Sequence, residues 1–74
     1  MKTIMVDGRE VLVEDQLNGE QIAGLAKCSD NQFAVVLREK NGVPQRIPVP
    51  RSQPRVTLND GDSIAAQYLV PNGG

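Results

Sequence analysis

The sequence closes on Pro71-Asn72-Gly73-Gly74, and the group there with the plainest chemistry is the Gly74 carboxylate. A carboxylate does not react with amines or thiols until it is activated. An ATP-using enzyme can convert it to an acyl-adenylate, a mixed anhydride with a good leaving group. A cysteine thiolate can then take the acyl carbon as a thioester, and a lysine amine can take it onward as an isopeptide. Each step happens in another protein's active site, so the arm must be narrow and conformationally free. Two glycines without a Cβ meet both needs. Pro71 lacks an N–H and holds φ near about −65°, which ends strand pairing, and Asn72 is small and polar. Gly73 and Gly74 are therefore a candidate activation and conjugation site, with Val70, Pro71 and Asn72 as the residues a partner would read. The competing reading is a frayed, glycine-rich terminus.

Other reactive constellations are hard to assemble. The chain has no histidine, so neither a Ser-His nor a Cys-His pair exists. With one cysteine and carboxylates scattered along turns, no metal ligand set stands out. Asp60-Gly61-Asp62 lacks the ligand series of a calcium loop, and no stretch has phosphate-loop spacing. The expectation is a protein that is not itself an enzyme and binds no cofactor or metal, with ATP used only by its partner. Cys28 is expected to be buried and inert. Lys2, Lys27 and Lys40, the only side-chain amines, are expected to be solvated surface charges.

Composition limits the partners. Seventy-four residues make one small domain, which buries only about 60% of its unfolded surface. The net charge is −1, without a basic stripe, and Phe33 and Tyr68 are the only aromatics, so nucleic acid is not an expected partner. No apolar run reaches bilayer length, and the start "MKTIMVDG" does not read as a secretory leader. A cytoplasmic protein, monomeric when free and without a membrane partner, is expected.

The elements that must hold the tail follow from turn chemistry and periodicity. "TIMV-DG-REVLV" reads as a hairpin with Asp7-Gly8 in a type I′ turn, so that Ile4, Val6, Val11 and Val13 share an apolar face. "LNGEQIAGLAK" supplies a cover: a helix over 18–28, with Asn18 as N-cap, Gln21 closing a capping box, and Ile22, Leu25 and Ala26 on one stripe. Gly24 weakens that helix but allows close packing on a sheet. "QFAVVLREK" is a strand, Asn41-Gly42 a second hairpin turn, and "VPQRIPV" a short return strand, which its prolines place at a sheet edge. "PRSQPRV" reads as loop, with or without one turn of helix, and "LNDGDS" as a turn. "IAAQYLV" is the last strand, with Ile64, Ala66 and Tyr68 opposite in face to Ala65, Gln67 and Leu69. In the second hairpin Val36 faces Ile47. These two with Leu69 make a candidate partner patch on the helix-free face, or else Val36 and Ile47 turn inward as core.

This order, β-β-α-β-β-turn-β in this length and running into Gly73-Gly74, resembles the β-grasp fold of ubiquitin and its relatives. "VDGREVLVEDQLNGEQIAGLA" is similar to the opening of bacterial ubiquitin-like domains, where such a hairpin leads into a "G-x-x-I" helix. The element order itself fits a mixed sheet with one helix on one face and the first and last strands parallel at the centre, joined through the helix crossover; the resemblance implies that this is an α+β β-grasp roll of four to five strands over 1–70. Residues 71–74 would then be a flexible tail. It also implies a modifier that is adenylated by an activating enzyme, passed to a conjugating enzyme, joined to target lysines and released by a deconjugating metallopeptidase. In ubiquitin an arginine precedes the glycines; Pro71-Asn72 stands here, so the activating enzyme must read a different arm. "LNDGDSI" also resembles the sulfur carriers of thiamine and molybdopterin synthesis, which implies a C-terminal thiocarboxylate instead. A non-covalent β-grasp interaction module is the third expectation.

Overall fold

The computed structural model describes residues 1–69, so what was expected of Val70, Pro71, Asn72, Gly73 and Gly74 lies outside the described residues. Strands β1 (Lys2–Val6), β2 (Arg9–Val13) and β3 (Gln16–Leu17) precede helix α1 (Gly19–Ala26). Then come β4 (Gln32–Lys40), β5 (Val43–Val49), β6 (Val56–Thr57) and β7 (Ser63–Tyr68). The result is a small α+β architecture: a mixed five-stranded sheet in the order β2-β1-β7-β4-β5, with the helix packed against β7 and β4. A separate two-stranded sheet joins β3 to β6.

Both hairpins form as their turn residues dictate. Asp7 and Gly8 have φ of 52° and 77°, and Asn41 and Gly42 have 54° and 78°, the paired positive values of a type I′ turn. The β1–β2 register sets Ile4 opposite Val11 and Val6 opposite Arg9. In β4–β5, Val36 faces Ile47 with no bulge interrupting the ladder. β1 and β7 are parallel neighbours, but their pairing covers only Met5–Ser63 and Val6–Ile64. β7 therefore continues past the Asp7-Gly8 end of the sheet, held there by β4 through Gln32–Tyr68.

The helix begins as its cap requires. Asn18 accepts from the Gln21 N–H at 2.8 Å, while the Gln21 side chain accepts from the Asn18 N–H at 2.9 Å. It stops two residues before the expected limit: Lys27 takes a left-handed conformation (φ 56°), and the Cys28 N–H returns to the Ala23 carbonyl at 3.0 Å. Lys27 is thus the C-cap residue, just past the helix. The close-packing role expected of Gly24 belongs to Gly19. Gly24 is exposed, and a Cβ there would meet nothing within 4 Å, whereas one on Gly19 would lie 2.8 Å from the Arg51 carbonyl oxygen and closer still to that of Pro50.

The core gathers Ile4, Val6, Val13, Ile22, Ala34, Val36, Val49 and Ile64, closed at one end by Leu58. Leu58 is positioned by its N–H donating to the Asp15 carbonyl at 2.9 Å, which ties the β6 segment to the chain entering β3. Among the described residues no helix is long and apolar enough to cross a membrane.

Candidate functional site at the end of the last strand

β7 is the middle strand of the sheet, paired with β1 at Ser63 and Ile64 and with β4 as far as Tyr68, so its end is held by β4. Past Tyr68, the Leu69 N–H donates to the Asn31 carbonyl at 2.8 Å, the last backbone hydrogen bond among the described residues. Asn31 belongs to a self-bonded turn: the Ser29 hydroxyl lies 2.8 Å from Asn31 Oδ1 and 3.0 Å from Gln32 Oε1, and the Ser29 N–H donates to Gln32 Oε1 at 2.9 Å. Such a bonded loop is a stiff anchor for a strand end.

A second anchor is Arg51. Its Nη2 donates to the Cys28 and Ser29 carbonyls, each at 3.0 Å, where the helix ends. Its Nη1 also lies 3.7 Å from Glu20 Oε1 in the first helical turn. The segment after β5 therefore straps the helix at both ends, since the Gly19 N–H also donates to the Gln53 carbonyl at 2.8 Å.

Beside this anchor lies a shallow, mainly apolar groove walled by Phe33, Pro48, Pro50 and Leu69, with Asp30 and Arg51 at its margin. Tyr68 and Leu69 are exposed, at 66% and 56%. The strand end thus offers an apolar surface next to the point where Val70 begins.

The candidate patch of Val36, Ile47 and Leu69 does not assemble. Val36 is fully buried beneath the helix with Ala34 and Val49, and half-buried Ile47 packs on the same core. Leu69 has the alternation of Ala65 and Gln67 and belongs to the opposite face. The pairing register was legible in the sequence; its facing was not. β4 carries five successive apolar residues, Phe33 to Leu37, so alternation alone cannot say which set meets the helix. The signal that decides is cross-strand: Val36 pairs with Ile64, and Ile64 must face the helix with the rest of the core. On the helix-free face the apolar residues are instead Phe33, Val35, Leu37 and Ala65, with Pro48 opposite Val35.

Cys28 is half-buried, and burial pushes its thiol above the ordinary range, partly offset by the Arg51 guanidinium. Less thiolate means slower alkylation. Iodoacetamide at pH 8 is expected to modify the native protein several-fold more slowly than the urea-unfolded chain; equal rates would contradict the burial. The linkage has a definite sign. A raised folded value makes the unfolded chain ionise first, so this contribution to stability is complete below the unfolded thiol pKa. It is lost as pH rises through the folded one.

Among the described residues, no three His, Cys, Asp or Glu side chains gather as a metal ion would require. No family model, curated protein sequence or solved structure matches the chain.

Proposed function

We propose that the fold is a β-grasp and that the chain is a ubiquitin-like modifier, conjugated through the Gly74 carboxylate to amines of other proteins. The observation that carries this reading is the position of β7. It is the central strand, parallel to β1, and it runs beyond the hairpin end of the sheet to a bonded anchor at Leu69. A partner can pull on whatever follows such a strand without disturbing the core.

In the proposed sequence, the Gly74 carboxylate attacks the α-phosphorus of ATP on an activating enzyme and pyrophosphate leaves. An enzyme cysteine thiolate then displaces AMP to give a thioester, and a target lysine amine displaces the thiol to give the isopeptide. The reading holds whether the Gly74 carboxylate is encoded as an end or exposed by cleavage.

The test is incubation of the chain with ATP and with activating and conjugating enzymes from the same organism. A thiol-sensitive adduct on the first enzyme, followed by an amide-linked adduct on a target, is the expected outcome, with both lost on deletion of Gly73-Gly74. Intact mass separates the sulfur-carrier alternative. If the only product is a terminal thiocarboxylate, in which sulfur replaces one carboxylate oxygen, the modifier reading fails. Partner binding that survives deletion of the two glycines would favour the interaction module.

A further inference from the structure

Asparagine followed by glycine occurs three times in the chain, at 18–19, 41–42 and 72–73. Such a pair can react with itself: the glycine nitrogen attacks the asparagine side-chain amide, and no Cβ on the glycine blocks the approach. Whether the two groups meet is decided by the fold. Asn72-Gly73 lies outside the described residues; the other two pairs are held in opposite ways.

At Asn18 the reacting groups are already occupied. Asn18 Oδ1 accepts from the Gln21 N–H at 2.8 Å, and the N–H of buried Gly19 donates to the Gln53 carbonyl at 2.8 Å. The Asn41-Gly42 turn is open. Residues 39 to 46 are exposed except half-buried Arg38's neighbour strand behind them, a Cβ on Gly42 would meet nothing within 4 Å, and among the described residues neither the Asn41 side chain nor the Gly42 N–H makes a hydrogen bond.

The dihedrals at Asn41 also lead toward ring closure. A planar succinimide eclipses the glycine nitrogen with the asparagine Cβ, which for an L residue sets ψ near about −120° and leaves φ free to be positive. Those are the angles of the first central residue of a type II′ turn, about 60° and −120°. Asn41 already has φ 54°. Rotation of the single Asn41–Gly42 peptide plane turns type I′ into type II′, the other two-residue turn that suits a hairpin, so the Lys40–Val43 pair stays closed. Gly42, at φ 78°, can follow to negative φ without strain. Asn18, at ψ 171°, must first leave the helix cap.

We propose that Asn41-Gly42 is a self-modifying site, at which the folded chain converts Asn41 to isoaspartate or aspartate without a catalyst. The Gly42 nitrogen attacks Asn41 Cγ and gives up its proton, the ring C–N bond forms, and ammonia leaves. Water then opens the ring: addition at Cγ gives aspartate, and addition at the main-chain carbonyl gives isoaspartate. Either product sets a carboxylate beside Lys40 in place of a neutral amide, and isoaspartate adds one methylene to the backbone of the loop. The exposed tip takes up that change while the core stays folded, so the second hairpin distinguishes an old copy of the chain from a new one. The site is independent of the tail reading.

The test is incubation of the full chain at mildly alkaline pH, native and unfolded in guanidinium chloride. Electron-transfer fragmentation of the intact chain in a mass spectrometer reads residues 18, 41 and 72 separately, each conversion adding about 1 Da. Asn41 in the native chain is expected to convert within about threefold of its unfolded rate, and Asn18 at least about tenfold more slowly than when unfolded, because its cap must open first. Asn41→Gly, which keeps a type I′ turn, should abolish the gain in this hairpin. In the aged native chain, amide NMR shifts should change around residues 39 to 46 and leave the core positions in place. A native Asn41 slowed as strongly as Asn18, a mass gain confined to Asn72, or an aged chain that has unfolded each overturns the proposal.

Discussion

Gly19→Ala is expected to lower stability by about 3 kcal/mol, a large share of the roughly 4–10 kcal/mol available to a domain this size. Gly19 opens the helix where the strap of residues 50–53 crosses it, and its N–H is already committed to the Gln53 carbonyl. The added methyl would meet the carbonyl oxygens of Pro50 and Arg51, which are backbone and cannot swing aside as a side chain would. Relief requires the strap to lift, which also releases Arg51 from the Cys28 and Ser29 carbonyls. Gly24→Ala is the matched control. Its Cβ meets open space, so it should stabilise by up to about 1 kcal/mol through helix propensity alone. Urea titration of the two variants should move the midpoint in opposite directions. Equal small shifts would mean that the strap is loose.

The second large effect is expected at the Arg38–Asp62 pair. Asp62 is 2% exposed and accepts from the Asn59 N–H at 2.8 Å, from Arg38 Nε at 3.0 Å and from Nη2 at 2.7 Å. The same Nη2 donates to the Thr57 carbonyl at 3.1 Å, so one guanidinium links the last part of β4 to β6 and to the turn before β7. Hydrogen bonding to the carboxylate holds the Arg38 guanidinium even more firmly protonated than usual, against the opposing effect of burial. The two partners are not equivalent. Asp62→Ala leaves a guanidinium that is partly open to water and can hydrate, costing about 2 kcal/mol. Arg38→Met leaves a buried carboxylate with a single donor and should cost about 3–4 kcal/mol. The double variant should cost less than the sum, because the pair is one unit. Additive losses in denaturant unfolding would show that the two side chains act separately.

How much of this was legible beforehand depends on range along the chain. The two hairpins, the capping box and the parallel placement of β1 beside β7 rest on turn residues, short-range periodicity and crossover rules, and all appear in the structure. β3 and β6 were not foreseen, because two-residue strands carry no period, and only the distant pairing of Gln16 with Thr57 defines them. Asp62 read as a turn residue, which it is, but its burial depends on an arginine 24 positions away. The glycine was misplaced for a similar reason: in a helix Gly24 looked like the packing glycine, yet what approaches Gly19 is a backbone segment more than thirty residues later. At the candidate site, the anchor at Leu69 depends on the Asn31 carbonyl, a contact that no local pattern announces.

The parallel pairing of β1 with β7 also has a mechanical consequence. Force applied between Lys2 and Leu69 would act along both strands in opposite senses, loading their hydrogen bonds in shear, together with the longer β7–β4 ladder. Bonds in shear must fail together, whereas a hairpin pulled open at its free ends yields one pair at a time. Resistance to such a pull is set by the unfolding rate and not by equilibrium stability. A cargo tethered beyond Leu69 would thus tug on the sheet along its stiff direction.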